Sequence, residues 1–219
     1  MASKKNEFYE KKLQETLSAI LVASKNVAVD EGIVGFTMKT IAKKAHLSRQ
    51  RLYFYFKNID EILYEIQIED TKAFISKMGK SFNALKNVEG MIDLGKFFDE
   101  AFLYGEENYK DFLFTSIFDN YFRNKIGDKK RHDEYLALFD RTDYIKACGD
   151  VLKKGQDTEI FRKDINLKEL LLFWLNTLQT SLQRIALLMS NEEKHSKEEF
   201  LIYRDTYKQA FFRFLFVNN

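Results

Sequence analysis

Proline is absent from this 219-residue chain. Its missing N–H and fixed φ break helix interiors, and it marks the turns of sheet proteins. A chain without it, holding only nine glycines, is biased towards helix throughout. An AT-rich coding sequence, which favours Lys, Asn, Ile and Phe codons, contributes to the same composition. Cysteine is nearly absent too: the single Cys148 excludes an internal disulfide and fits a reducing compartment. Long apolar runs are missing. The longest, Leu170 to Leu175, falls far short of the ~20 residues that cross a bilayer. The polar start MASKKNEFYEKKLQE has no apolar signal region, so a cytoplasmic location away from membranes is expected.

Metal and catalytic patterns are equally scarce. His132 and His195 have no cysteine or second histidine at ligand spacing, so no metal or other cofactor is expected. The acid pairs Glu106-Glu107, Glu192-Glu193 and Glu198-Glu199 are sequence neighbours, which point in different directions on a helix and read as solvated surface. No nucleophile–base pair or phosphate loop is present, and an enzyme is not expected. Cys148 has only Lys146 nearby to activate it, a weak basis for oxidant sensing.

What is present is apolar, helical and unevenly charged. Hydrophobic residues make up 45% of the chain, enough for a sizeable core, and the net charge is only +2. Residues 1–60 nevertheless hold 11 Lys/Arg against 6 Asp/Glu. From Gly32 to Ile59 the charged residues are Lys39, Lys43, Lys44, Arg49, Arg51 and Lys57, with no acid. A solvated face carries mixed signs; a block of one sign is an electrostatic footprint for a polyanion.

The spacing predicts a first helix over 7–31, with Leu13, Leu17, Ile20, Leu21, Ser24, Val27 and Ala28 on one stripe and Gly32 ending it. Thr37 is placed to cap a short second helix, with Met38, Ile41, Ala42 and Ala45 inward. Ser48 is placed to cap a third, SRQRLYFYF. Two short helices joined at a tight corner, His46-Leu47, form a helix-turn-helix pattern. On the third helix Leu52 and Phe56 face inward. Arg49 and Gln50 fall in the first turn, the end that meets base edges in a major groove, where Arg grips guanine and Gln adenine by paired bonds. Phe54 lies on the outer side, either against a thymine methyl or as a partly covered surface ring; the second reading is preferred.

Further helices are predicted near 58–80, 88–107, 109–125, 133–154, 167–190 and 196–217, with exposed loops at Gly127–Lys130 and Gly155–Asp157. Asn166 and Glu169 resemble a capping box. The fold class is therefore all-α: a three-helix helix-turn-helix domain, residues 1–58, and a larger helical domain, residues 59–219, for ligand binding and dimerisation. The helix after Leu167 is apolar nearly all round and must be covered on several sides. With the last helix it suggests a four-helix bundle between two copies, built on Leu182, Ile185, Tyr203, Tyr207, Phe211 and Phe214. Aromatic residues are dense between 97 and 139. Most belong to a core, and a minority (Phe98, Phe102, Phe114, Phe118, Tyr121 and Phe139, with Trp174 and Leu178) are the expected lining of a lipophilic effector pocket.

Residues 13 to 63 resemble the DNA-binding domain of TetR-type transcription regulators. The resemblance rests on Asp30-Glu31-Gly32, Phe36-Thr37, Ile41-Ala42, Ala45, Leu47-Ser48, Leu52-Tyr53, Phe56 and Ile62-Leu63, in that order and spacing. It covers roughly a quarter of the chain. VLKKGQDTEIFRKDI followed by an apolar helix is also similar to the family's penultimate connection. The resemblance implies that Thr37 and Tyr53 bond phosphates, that Ser48, Arg49 and Gln50 lie at base edges, and that Tyr55 donates to phosphate where many members carry histidine. With Lys39, Arg51, Phe54 and Lys57 these form the expected DNA-contacting set. Three positions depart from the pattern: His46 for the turn glycine, Ser24 for a common alanine, and Ile59 for a lysine that contacts phosphate, for which Lys57 is the substitute. The implied function is a ligand-responsive repressor that leaves a near-palindromic DNA operator when a lipophilic or aromatic effector binds. A protein-binding module on the same fold is the alternative.

Overall fold

The computed structural model describes residues 2–85, 91–140, 143–191 and 197–216. Ten helices follow one another there: α1 Ala2–Gly35, α2 Met38–Lys44, α3 Arg49–Tyr55, α4 Ile59–Leu85, α5 Met91–Glu107, α6 Tyr109–Phe122, α7 Lys129–Asp140, α8 Asp143–Asp157, α9 Leu167–Met189 and α10 Lys197–Leu215. The chain forms two compact units, one of residues 1–70 and 114–136, the other of residues 71–113 and 137–219.

In the first unit α1 buries Ile20, Ala23, Ser24, Val27 and Ala28, the inner part of its predicted stripe. Gly32 breaks the helix at φ +69°, a conformation that needs no Cβ, and one more turn follows to Gly35. Ser24 is fully buried with its hydroxyl unpartnered among the described residues, so it is costlier than the alanine it replaces. Lys25 Nζ meets Asp70 Oδ1 at 2.5 Å, tying α1 to α4 in a partly buried ion pair.

The base of α4 organises the rest of this unit. Tyr64 is fully buried, its ring 5.2 Å from Phe118 and 4.5 Å from Phe122. Its hydroxyl donates to the Ile126 carbonyl at 2.5 Å and lies 3.1 Å from His132 Nδ1. Burial, with Asp60 and Asp128 nearby, pushes its pKa up to about 12. Tyr121 donates to Asp60 at 2.7 Å, and Arg131 pairs with Glu65 at 2.8 Å. Together these clamp the α6–α7 corner onto α4. Asp128 accepts from the Arg131 N–H at 3.0 Å, as an N-cap does. Lys129 and Lys130 are therefore the exposed first turn of α7 and not part of a loop.

The second unit is built around α9, which packs against α5, α8 and α10. Leu170, Trp174, Leu178, Leu182 and Ile185 are buried along it, and Asn166 caps it by accepting from Lys168 N–H at 2.8 Å. Glu169 adds charge to that first turn without closing a box among the described hydrogen bonds.

Two expectations change. Where one helix was expected over 133–154 there are two, α7 and α8. Gly155–Asp157 is not an exposed loop but the last turn of α8, with Gly155 buried beneath the Phe161 ring. Gln156 holds the following turn, its amide donating to the Arg162 and Ile165 carbonyls at 2.8 and 2.9 Å. The predicted starts at 88 and 196, the end at 217, Glu192-Glu193 and His195 lie outside the described residues.

A Cβ on Gly155 would overlap the Phe161 ring. Gly155→Ala is expected to cost about 2 kcal/mol by forcing that ring aside. Denaturant unfolding checks this; an unchanged midpoint would show that Phe161 yields freely.

Candidate nucleic-acid interface

Seven-residue helices do not stand alone in water, so both short helices are held at their ends. Thr37 Oγ1 accepts from Thr40 N–H at 3.1 Å and shares a 2.6 Å hydrogen bond with the Thr40 hydroxyl. Ser48 Oγ accepts from Arg51 N–H at 3.1 Å. Each cap is worth ~1 kcal/mol. Between them the chain turns at His46, which adopts φ +55°. Histidine is among the side chains that tolerate this region, and its presence in place of glycine leaves the turn intact. The hydrogen bond from Leu47 N–H to the Ala42 carbonyl, 2.9 Å, closes the corner.

The inner face of this motif is apolar: Phe36, Met38, Ile41, Ala42, Leu52 and Phe56 are buried, and Ala45 is half-buried. Fixing Leu52 and Phe56 inward leaves Arg49, Gln50, Arg51, Tyr53 and Phe54 exposed on α3. Phe54 is 80% exposed, with only the Tyr55 ring 5.3 Å away, so it is not the partly covered ring that was preferred. Tyr55 is half-buried, and its hydroxyl accepts from the Arg51 guanidinium at 3.5 Å. Lys39 is exposed on α2.

At the start of α4, Asn58 Oδ1 accepts from Glu61 N–H at 2.9 Å, while Glu61 accepts from Lys57 N–H at 2.7 Å. The Lys57 ammonium remains exposed, 3.6 Å from Glu61, so it can still reach an anion at the cost of a weak surface pair. Ile59, where the resemblance implies lysine, is half-buried. The expected DNA-contacting residues are thus brought to α2, α3 and the segment just after them. The base of α4 (Asp60, Tyr64, Glu65), which fixes the α6–α7 corner in this unit, was not foreseen; a tyrosine inside the apolar stretch ILYEI looks like any core residue.

The expected effector and partner residues fall out differently. Phe114, Phe118 and Tyr121 lie in the first unit, whereas Phe98, Phe102, Phe139, Trp174 and Leu178 lie in the second. Phe139 is exposed, while Phe98, Phe102, Trp174 and Leu178 are buried in a ring-packed core with Phe211 and Tyr207. Leu182, Ile185 and Phe211, expected at a surface between copies, are buried inside the chain. Tyr203, Tyr207 and Phe214 are half-buried, Tyr207 sharing a 3.2 Å hydrogen bond with Thr177 and Phe214 packing 4.4 Å from the Phe173 ring. The apolar residues that α9 and α10 leave exposed are Leu172, Leu187, Leu201 and Ile202.

α2 and α3 thus form a capped helix-turn-helix whose exposed face carries Lys39, Lys43, Arg49 and Arg51. Residues 20–66 match the family model described as bacterial regulatory proteins, tetR family. Over the whole fold the chain is similar to the fatty acid degradation regulator FadR of Bacillus halodurans, at 14% identity and TM-score 0.66, covering 90% of this chain and 94% of that one. It is also similar to the MbdR regulator of Azoarcus sp. CIB, at 20% identity and TM-score 0.68, covering 92% and 100%. A tetR-family regulatory protein of Rhodococcus RHA1 superposes with TM-score 0.71 at 13% identity, covering 93% and 98%. No curated protein matches the chain. Residues 20–66 thus match the N-terminal family model, and the fold as a whole is similar to that of these regulators. Among the described residues no helix is long and apolar enough to cross a membrane.

Two outcomes test the local physics. His46→Gly removes the Cβ from a left-handed position and is expected to stabilise the protein by about 1 kcal/mol in thermal unfolding; destabilisation would mean that the imidazole makes a contact worth more than the strain. Cys148 is buried, and burial pushes its pKa up to about 12. The thiol stays protonated at pH 8 and is expected to ignore an aromatic disulfide reagent until the protein is unfolded. Prompt modification of the native protein would contradict this.

Proposed function

We propose that this chain is a ligand-responsive repressor that binds a near-palindromic operator as a homodimer. The observation that carries the DNA reading is the first turn of α3. Ser48 caps it, Arg49 and Gln50 are exposed on it, and no acid occurs from Gly32 to Ile59. In this reading Arg49 and Gln50 hydrogen-bond base edges from the major groove, with Ser48 beside them. Phe54 meets a thymine methyl. Lys39, Arg51, Tyr53, Tyr55 and Lys57 hold the phosphates, joined by Thr37, whose hydroxyl is shared with the cap of α2.

DNA recognition is assigned to residues 1–58, and effector and partner binding to residues 59–219. A second copy covers the apolar side chains exposed on α9 and α10, which include Leu172, Leu187, Leu201 and Ile202. The effector is lipophilic or aromatic and binds among the rings of the second unit. α4 contributes residues to both units and is the lever. The effector lowers DNA affinity only by binding the released arrangement more tightly than the DNA-bound one. The protein acts by binding alone and is not an enzyme, and its place of action is the cytoplasm.

The test is binding to the DNA upstream of its own gene at two salt concentrations. Wild type is expected to bind one palindromic site tightly, weakening steeply with salt. Arg49→Ala/Gln50→Ala is expected to lose about 100-fold in affinity for that site while its residual binding becomes indifferent to sequence. Weak binding to any DNA, equal in both proteins, would reject base reading by α3.

A further inference from the structure

Trp174 and Tyr144 stand out in the second unit because their polar atoms do not fit their surroundings. The Trp174 side chain is fully buried and Tyr144 nearly so. Trp174 Nε1 has no hydrogen-bond partner among the described residues, and the Tyr144 hydroxyl has no oxygen or nitrogen partner there. Both rings pack on the same two phenylalanines. Phe82 lies 5.9 Å from Trp174 and 5.8 Å from Tyr144, and Phe97 lies 5.7 and 6.3 Å from them. Phe98 and Phe211 close the other side of Trp174, and Phe74 adds to Tyr144. The thiol of Cys148 interacts with the Tyr144 hydroxyl, a soft and weak partner. Burial raises the tyrosine pKa well above that of an ordinary phenol, so the O–H keeps its proton and remains a donor.

Buried polar groups almost always find partners, and each exception asks for an explanation. Phenylalanine at both positions would fill this core without the cost of an unmet donor. Indole can only donate, so whatever satisfies Trp174 must be an acceptor. The rings packed on the pair are all phenylalanines, so a carboxylate placed among them would carry a large desolvation penalty. An uncharged oxygen on an apolar skeleton meets both demands.

We propose that Trp174 and Tyr144 are the polar anchors of the effector site, and that the effector is an uncharged lipophilic carbonyl compound whose oxygen accepts from one or both of them. The assignment rests on the effector reading above. Phe82 and Phe97 move apart to admit the apolar body, and the carbonyl takes the place of the missing partner. The hydrogen bonds supply specificity, and the rings supply affinity.

Trp174 is the only tryptophan of the chain, so its emission reports on this core directly. The full-length protein is titrated with hexanophenone, with hexylbenzene, which lacks the carbonyl, and with 6-phenylhexanoate, which carries a charge. Tryptophan emission and DNA affinity are followed in parallel for wild type and Tyr144→Phe. In wild type the ketone is expected to change the emission and to bind about tenfold more tightly than either of the others. In Tyr144→Phe that preference falls to within about twofold, and the unfolding temperature equals or exceeds that of wild type, because a buried hydroxyl with only a weak thiol partner has been removed. Equal binding of ketone and hydrocarbon, or no emission change with any of the three, overturns the assignment. A fall of several degrees in the unfolding temperature of Tyr144→Phe also overturns it, since the hydroxyl would then have had a strong partner in the free protein. A compound that releases DNA without altering Trp174 emission leaves the effector reading standing and removes this site from it.

Discussion

A helix of one or two turns cannot hold its own shape, and the proposed DNA-reading surface of this protein is such a helix. α3 owes its existence to three restraints outside itself: the Ser48 hydroxyl on the Arg51 N–H, the burial of Leu52 and Phe56, and the corner at His46. Burial sets the rotation of α3 about its axis, and through it the direction in which Arg49 and Gln50 face. The caps set where the helix begins, and so which residues occupy the exposed first turn. Readout of bases tolerates little error in either. The chemistry at the surface is thereby delegated to an apolar interior that never touches the ligand.

The second unit uses apolar packing differently. Rings there touch rings from Phe97 and Phe98 of α5, through Phe173 and Trp174 of α9, to Phe211 of α10. Aromatic contacts prefer certain geometries but permit several of similar energy. A core of this kind can repack with modest loss, whereas the hydrogen-bonded corner of Tyr64, Ile126, His132, Asp60 and Tyr121 cannot.

The helix-turn-helix was legible because each of its cues is local. Thr37 and Ser48 announce caps, the spacing of Ile41, Leu52 and Phe56 announces the inner face, and a positive φ at residue 46 follows from the corner that histidine occupies. Effector and partner residues were harder, because their roles depend on which helices meet. A stripe such as Leu182, Ile185 and Phe211 reads the same whether its cover comes from the same chain or from another. Phe114 and Phe98 look alike in sequence, yet they fall in different units because the chain returns to the first unit at residue 114. The last turn of α8 was misread for a related reason. A glycine followed by polar residues has the composition of a loop, and only the arrival of Phe161 shows that Gly155 marks a close approach inside a helix.

That same turn is where the end of α10 comes to rest. Arg162 N–H donates to the Leu215 carbonyl at 3.0 Å, and the rings of Phe161 and Phe216 meet at 5.0 Å. The carboxyl end of α10 is therefore sewn to the segment that seals α8, and it does not trail away as a free tail. At the other end, residues 6–15 of α1 are all exposed. A load attached to residues 6–15 of α1 leaves the stitching alone, whereas one that pulls on Phe216 strains the seam between α8 and α10.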